Sequence, residues 1–138
     1  MPTAATPGDA LAIVGRFMNA IVEERLDDAR GLLHDEFVAY EAGGVPYSGE
    51  YRGPQGFFDL LAKMTEGMEF TLGPAPQCLL AADSVAVRSR VTFTSRASGK
   101  SIEMRLVEVY TVRNGLIVEL DVYYKDPSAV AALLAVQT

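Results

Sequence analysis

Apolar residues recur at three- and four-residue spacing from the start of the chain: Leu11, Val14, Phe17, Met18, Ile21 and Val22. That stripe predicts an amphipathic helix running to about Glu24, with Asp9 as its N-cap. Residues 1–8 form a Pro/Ala/Thr lead-in expected to stay mobile. A second, short helix is predicted over 26–33, with Asp27 and Asp28 in its first turn where the helix dipole favours them. The pattern becomes extended over 36–41. Gly43, Gly44, Pro46 and Gly49 then mark a loop that carries Tyr47 and Tyr51 towards Gly53-Pro54. Pro54 suits the first position of a third helix. In it Phe57, Leu60, Leu61 and Met64 make one buried stripe.

After Gly67 the period changes to two. Four long strands are predicted near 69–80, 85–96, 101–112 and 116–125, separated by turns at Ala82-Asp83, Ser98-Gly99 and Asn114-Gly115. Such short connections make neighbours antiparallel, so the strands form a meander. Asp126-Pro127 caps a last helix holding Val130, Leu133 and Leu134. Helices followed by long antiparallel strands predict an α+β fold with the helices on one face of the sheet.

Alternation assigns the faces. Val85, Val87, Ser89, Val91 and Phe93 should look inward, leaving Arg88, Arg90, Thr92, Thr94 and Arg96 outside. In the next strand Glu103 and Arg105 match that charged outer side. Met104, Leu106, Glu108, Tyr110 and Val112 therefore point inward, and Glu108 lands among apolar residues. A buried carboxylate must find a donor or become neutral near physiological pH. Glu108 is thus a candidate site residue, or a structural carboxylate satisfied by a tyrosine or an arginine. In the last strand Val118, Leu120, Val122 and Tyr124 should face inward. Val107 and Val109 on the outer side point to pairing between two copies, a homodimer through the outer sheet face.

Charge and composition narrow the function. Twelve basic against eighteen acidic residues give a net charge of −6 with no basic cluster, which disfavours nucleic acid and anionic membranes as partners. The chain of 138 residues is expected to form one domain, 1–138. It carries neither a signal-peptide pattern nor a long apolar run, so a soluble, cytoplasmic protein is expected. Cys78 cannot form an internal disulfide and reads as a buried small hydrophobe. His34 reads as exposed and idle. Lying more than 40 residues apart, the two offer no metal-ligand spacing, and neither a metal nor any other cofactor is expected.

Four segments carry a resemblance: Val14-Gly-Arg-Phe-Met18, Ala29-Arg-Gly-Leu-Leu33, Tyr51-Arg-Gly-Pro54 and Val109-Tyr-Thr-Val-Arg-Asn-Gly-Leu-Ile117. Through them the chain resembles the nuclear transport factor 2-like superfamily, within it the SnoaL-like polyketide cyclases and ketosteroid isomerases. The resemblance implies a curved antiparallel sheet forming an open cone against about three N-terminal helices, with a short C-terminal helix. It also implies an internal pocket for a small apolar ligand, and commonly a homodimer. In ketosteroid isomerase a carboxylate at the end of the first strand moves a proton, while a protonated carboxylic acid and a tyrosine hold the oxyanion. By position, Glu41 matches the base and Glu108 the neutral acid. The tyrosine position falls on Phe17, which lacks a hydroxyl, and one oxyanion donor is worth about 2.7–4 kcal/mol. Tyr40, Tyr51, Tyr110 or Tyr124 could replace it. With Phe17, Phe57 and Leu106, these tyrosines are the expected substrate-binding residues.

Alternatives stay open at this level. Glu41 could instead bond backbone amides in the turn before Gly43-Gly44. Tyr47 and Tyr51 could line the pocket mouth or plug it. The chain is accordingly an isomerase- or cyclase-type enzyme without a cofactor, a binding protein, or a dimerisation module whose cone is filled by its own aromatics.

Overall fold

The computed structural model describes residues 7–135. Four helices and seven strands follow one another as α1 Pro7–Val22, α2 Leu26–Arg30, β1 Leu33–Glu41, β2 Gly49–Arg52, α3 Gly53–Gly67, β3 Met68–Leu72, β4 Gln77–Ala81, β5 Ser84–Ser95, β6 Ser101–Arg113, β7 Leu116–Tyr124 and α4 Pro127–Ala135. Of the lead-in, residues 1–6 lie outside the described residues. Helix α1 begins at Pro7, so Asp9 sits in its first turn rather than capping it. Proline is tolerated in a first turn, where its missing N–H would be unpaired anyway. The helix ends at Val22 because Glu24 adopts a left-handed φ of 58°. Arg25 N–H then bonds Ala20 O and Glu24 N–H bonds Ile21 O, the pattern of a Schellman cap.

The sheet runs in the order β2-β1-β7-β6-β5-β3, with β4 pairing the other half of β5. Among the described strands all neighbours are antiparallel except β1 and β7, which run parallel. The fold is therefore α+β as expected, with a mixed sheet in place of a purely antiparallel one. A long passage through α3 and the meander separates β1 from β7, and only such a connection permits a parallel pair.

Three local departures follow from chain chemistry. The strand expected over 69–80 is two strands, because Gly73-Pro74-Ala75-Pro76 interrupts it with prolines that cannot donate to a ladder. Gly73 donates to Arg90 O at 2.8 Å, and a Cβ on it would lie only 2.8 Å from that same oxygen. The β6–β7 turn at Asn114-Gly115, with φ of 53° and 78°, suits a type I′ hairpin. Just beyond it the register shifts, from Thr111↔Glu119 to Val112↔Ile117. The extra residue is Val118, so Ile117 takes the buried inner position that alternation assigns to Val118, which is only half-buried. Cys78 is exposed, not buried, because every residue of the edge strand β4 is exposed. Residues 31–33 leave the second helix at Gly31, and Leu33 opens β1 instead.

The core lies between the inner sheet face and the helices. Helix α1 contributes Ile13, Val14 and Phe17, and α3 contributes Phe57 and Leu60. Against them stand Phe37 of β1, Val85, Val87 and Phe93 of β5, and Met104 and Val112 of β6. Each such side chain contributes about 1.5–3 kcal/mol by leaving water. No helix among the described residues is long and apolar enough to cross a membrane.

Candidate active site

Glu41 is the last residue of β1, and Glu108 lies midway along β6. Strand β7 runs between them. Glu108 pairs with Val122, and β1 pairs Tyr40 with Asp121, so the same register sets Glu41 beside Val122. The two carboxylates therefore flank one residue on the inner face, two strand spacings or about 10 Å apart at the backbone. Both are half-buried, although Phe37, Ala39, Leu106 and Tyr110 around them on their own strands are buried.

Each carboxylate has a tyrosine. Tyr110 donates to Glu108 Oε2 at 3.3 Å. The Tyr124 hydroxyl acts on Glu41, whose Oε1 also accepts the Ala42 N–H at 3.1 Å. Tyr124 lies two residues beyond Val122 on β7, past the end of β1. Its hydroxyl shares a 2.7 Å hydrogen bond with that of Tyr47. Tyr47 is in turn fixed through its backbone, since Tyr51 donates its hydroxyl to Tyr47 O at 2.8 Å. Tyr47 and Tyr51 are both buried, so the loop before β2 folds back over the carboxylate at the end of β1.

Burial dominates the electrostatics. It pushes the Glu41 carboxyl from 4.5 to about 7, aided by the Glu108 charge and opposed by the Ala42 amide and the Tyr124 hydroxyl. Burial likewise pushes Glu108 to about 7, with the Tyr110 hydroxyl opposing. No arginine or lysine pairs with either among the described residues. Burial also raises the Tyr110 and Tyr124 hydroxyls, and the neighbouring carboxylates add to this, so both tyrosines remain protonated donors. Such a pair holds about one proton near neutrality. One carboxyl can then accept a proton while the other donates a hydrogen bond.

The remaining expected residues divide. Phe17 packs edge-on against Phe57 at 5.2 Å and against Tyr110 at 6.1 Å, so the residue without a hydroxyl supports the ring that has one. Leu106 is buried directly across from Tyr124. Tyr51 has its hydroxyl committed to the Tyr47 carbonyl. Tyr40 does not join this group: it pairs with Asp121 and Glu50 on the outer face, because strand alternation turns it away from its neighbour Glu41. Tyr47, outside the expected substrate-binding set, is the addition. It sits in a loop without periodicity, and only its spacing from Tyr51 in a Gly/Pro-rich stretch marked it.

His34 lies at the opposite end of β1 and accepts the Glu36 N–H at Nδ1. Among the described residues no group of three or more His, Cys, Asp or Glu is arranged to hold a metal ion. Two surface concavities, one beside β2 and α3 and one at the β3–β4 break, lie away from the carboxylate pair.

The model of the SnoaL-like domain matches residues 14–120. No curated protein sequence matches the chain. Among solved structures, an NTF2-like protein from Burkholderia xenovorans aligns with a TM-score of 0.87 at 21% identity, over 96% of this chain and 99% of that one. A candidate polyketide cyclase from Xanthomonas campestris pv. campestris aligns at 0.80 and 14% identity, over 95% and 100%. TerC, co-crystallised with polyporic acid, aligns at 0.81 and 15% identity, over 93% and 99%. At these identities the likeness is one of fold.

Proposed function

The chain belongs to the SnoaL-like domain family, and from that premise we propose that it binds a small apolar carbonyl compound against its inner sheet face and moves a proton within it. One observation carries this reading: Glu41 and Glu108 share that face, titrate near neutrality, and have tyrosine hydroxyls rather than cations beside them. Glu41 is the base, since an amide and a hydroxyl both favour its charged form. Glu108, with Tyr110 alone, is the neutral acid. Glu41 takes the proton from the carbon next to the carbonyl, and the electron pair moves onto the carbonyl oxygen. Hydrogen bonds from Glu108 and Tyr110 stabilise that oxygen. Returning the proton to a different carbon completes an isomerisation, while attack of the enolate on a second carbonyl forms a carbon–carbon bond and an alkoxide that takes the proton back from Glu41, completing a cyclisation. Partial exposure of both carboxylates beside buried neighbours supports access by a ligand, and the co-crystallisation of one structural relative with polyporic acid supports an organic one.

The test incubates the protein with a panel of cyclic ketones in D2O and follows α-deuterium uptake by NMR. Uptake catalysed by the wild type and abolished in Glu41→Gln, with ligand affinity nearly intact, is the expected outcome. The rate should peak near pH 7 and fall on both sides, as Glu41 protonates below and Glu108 ionises above. Deuteration that survives in Glu41→Gln would sink the mechanism. A second reading, ligand binding without chemistry, is favoured by Phe17, which supplies no oxyanion donor; saturable binding of the ketones without any exchange would establish it.

A further inference from the structure

The outer face carries a feature that the proton-transfer site does not use. Arg90 of β5 lies directly across from Arg105 of β6. The Lys125 N–H bonds the Arg105 carbonyl, so exposed Lys125 continues the same row beyond β7. Like charges placed opposite one another across strands destabilise a sheet, and here they stand in a chain with a net charge of −6. None of the three forms an ion pair among the described residues. The nearest carboxylate in the register, Glu103, is set across from Thr92 and is likewise unpaired.

This row borders a concavity of about 190 Å³ whose lining includes Gln77, Arg88, Ser89, Arg90 and Arg105 beside Pro74 and Ala75. The break between β3 and β4 forms it. Gly73 presses against the Arg90 backbone, and the prolines that follow curl away before β4 resumes beside Arg88. Arg88 borders the rim, its Nη1 reaching Gln77 Oε1 at 3.5 Å. Guanidinium groups on neighbouring strands stand about 5 Å apart at Cβ, a separation that two forks can close around one tetrahedral oxyanion.

We propose that this concavity is a binding site for a phosphoryl group, held by Arg90 and Arg105 with Arg88 and Lys125 at its margins. The bound anion removes the Arg90–Arg105 repulsion, which is why the pairing is tolerated.

Calorimetry at low ionic strength with inorganic phosphate, pyrophosphate and phenyl phosphate tests the site. One-to-one binding is expected, weakened at least tenfold in Arg105→Gln and in Arg90→Gln but unchanged in Arg113→Gln, an exposed arginine elsewhere on β6. Binding of phenyl phosphate as tight as that of the inorganic ions assigns the group to an organic phosphate ester; a preference for the inorganic ions assigns it to a free anion. Without any anion, Arg105→Gln should melt at a higher temperature than the wild type, a readout that separates lost repulsion from misfolding. Absence of binding, or equal loss in Arg113→Gln, overturns the proposal. So does a wild-type dimer that falls apart in Arg105→Gln, since the carboxylates of a second copy would then be what the arginines hold.

Discussion

Replacing Glu108 with glutamine keeps the shape and the acceptor for Tyr110 while removing the ionisable group. Burial raises the Glu108 carboxyl from 4.5 to about 7. Between those two values the folded protein holds a proton that the unfolded chain has released. Stability from this residue is therefore undiminished below about pH 4.5, declines as pH rises towards 7, and is level above it. At pH 8.5 the ionised side chain costs the fold about 3 kcal/mol relative to a neutral one, and at pH 5 less than about 1 kcal/mol. Glu41 adds to the effect, because the Glu108 charge is one of the causes that raise its own carboxyl. Urea unfolding of wild type and Glu108→Gln at pH 5, 7 and 8.5 measures the difference. The variant should be more stable than wild type at pH 8.5 by about 3 kcal/mol, and its advantage should shrink steadily towards pH 5. An advantage independent of pH, or a variant less stable at pH 8.5 than at pH 5 relative to wild type, would refute a buried carboxylate at this position.

Other parts of the fold are open to equally direct tests. Asp126 Oδ1 accepts the Ala129 N–H at 3.2 Å and the Ser128 hydroxyl at 2.7 Å at the start of α4, so Asp126→Ala should lower stability by about 1 kcal/mol in denaturant melts. Gly56 lies where α3 meets β2, and a Cβ there would come within 2.8 Å of the Tyr51 carbonyl carbon. Gly56→Ala should thus destabilise the fold by about 1–3 kcal/mol despite the better helix propensity of alanine, and unchanged melts would show that the helix can shift away. Exposed Cys78 should react with a thiol reagent in the native protein, one equivalent per chain, without prior unfolding.

Which of these features the chain announces, and which it conceals, has a physical basis. The faces of β5 and β6 are readable because period-two alternation is local, and one buried face forces it. That logic alone sets Glu108 inward beside Tyr110, and the apolar stripes of α1 and α3 are legible for the same reason at period 3.6. Asn114-Gly115 announces its turn because few residue pairs accept two left-handed conformations in succession.

Tertiary structure decided everything that depends on a partner distant in sequence. The parallel pairing of β1 with β7 brings Glu41 into register with Val122 and hence near Glu108; nothing within residues 33–41 specifies that neighbour. Strand β4 carries the unbroken apolar run Cys78-Leu79-Leu80-Ala81, as a buried strand would, yet its position at the edge leaves Cys78, Leu79 and Leu80 exposed. Tyr40 and Glu41 are adjacent in the chain and opposite in space, an outcome set by which face of β1 the core claims. The Tyr47–Tyr124 hydroxyl bond joins residues 77 positions apart. Local sequence determines which residues can share a face, because backbone geometry repeats every two or 3.6 residues. Only the assembled sheet determines which faces meet, because strand order is settled by long-range burial that no short window of sequence contains.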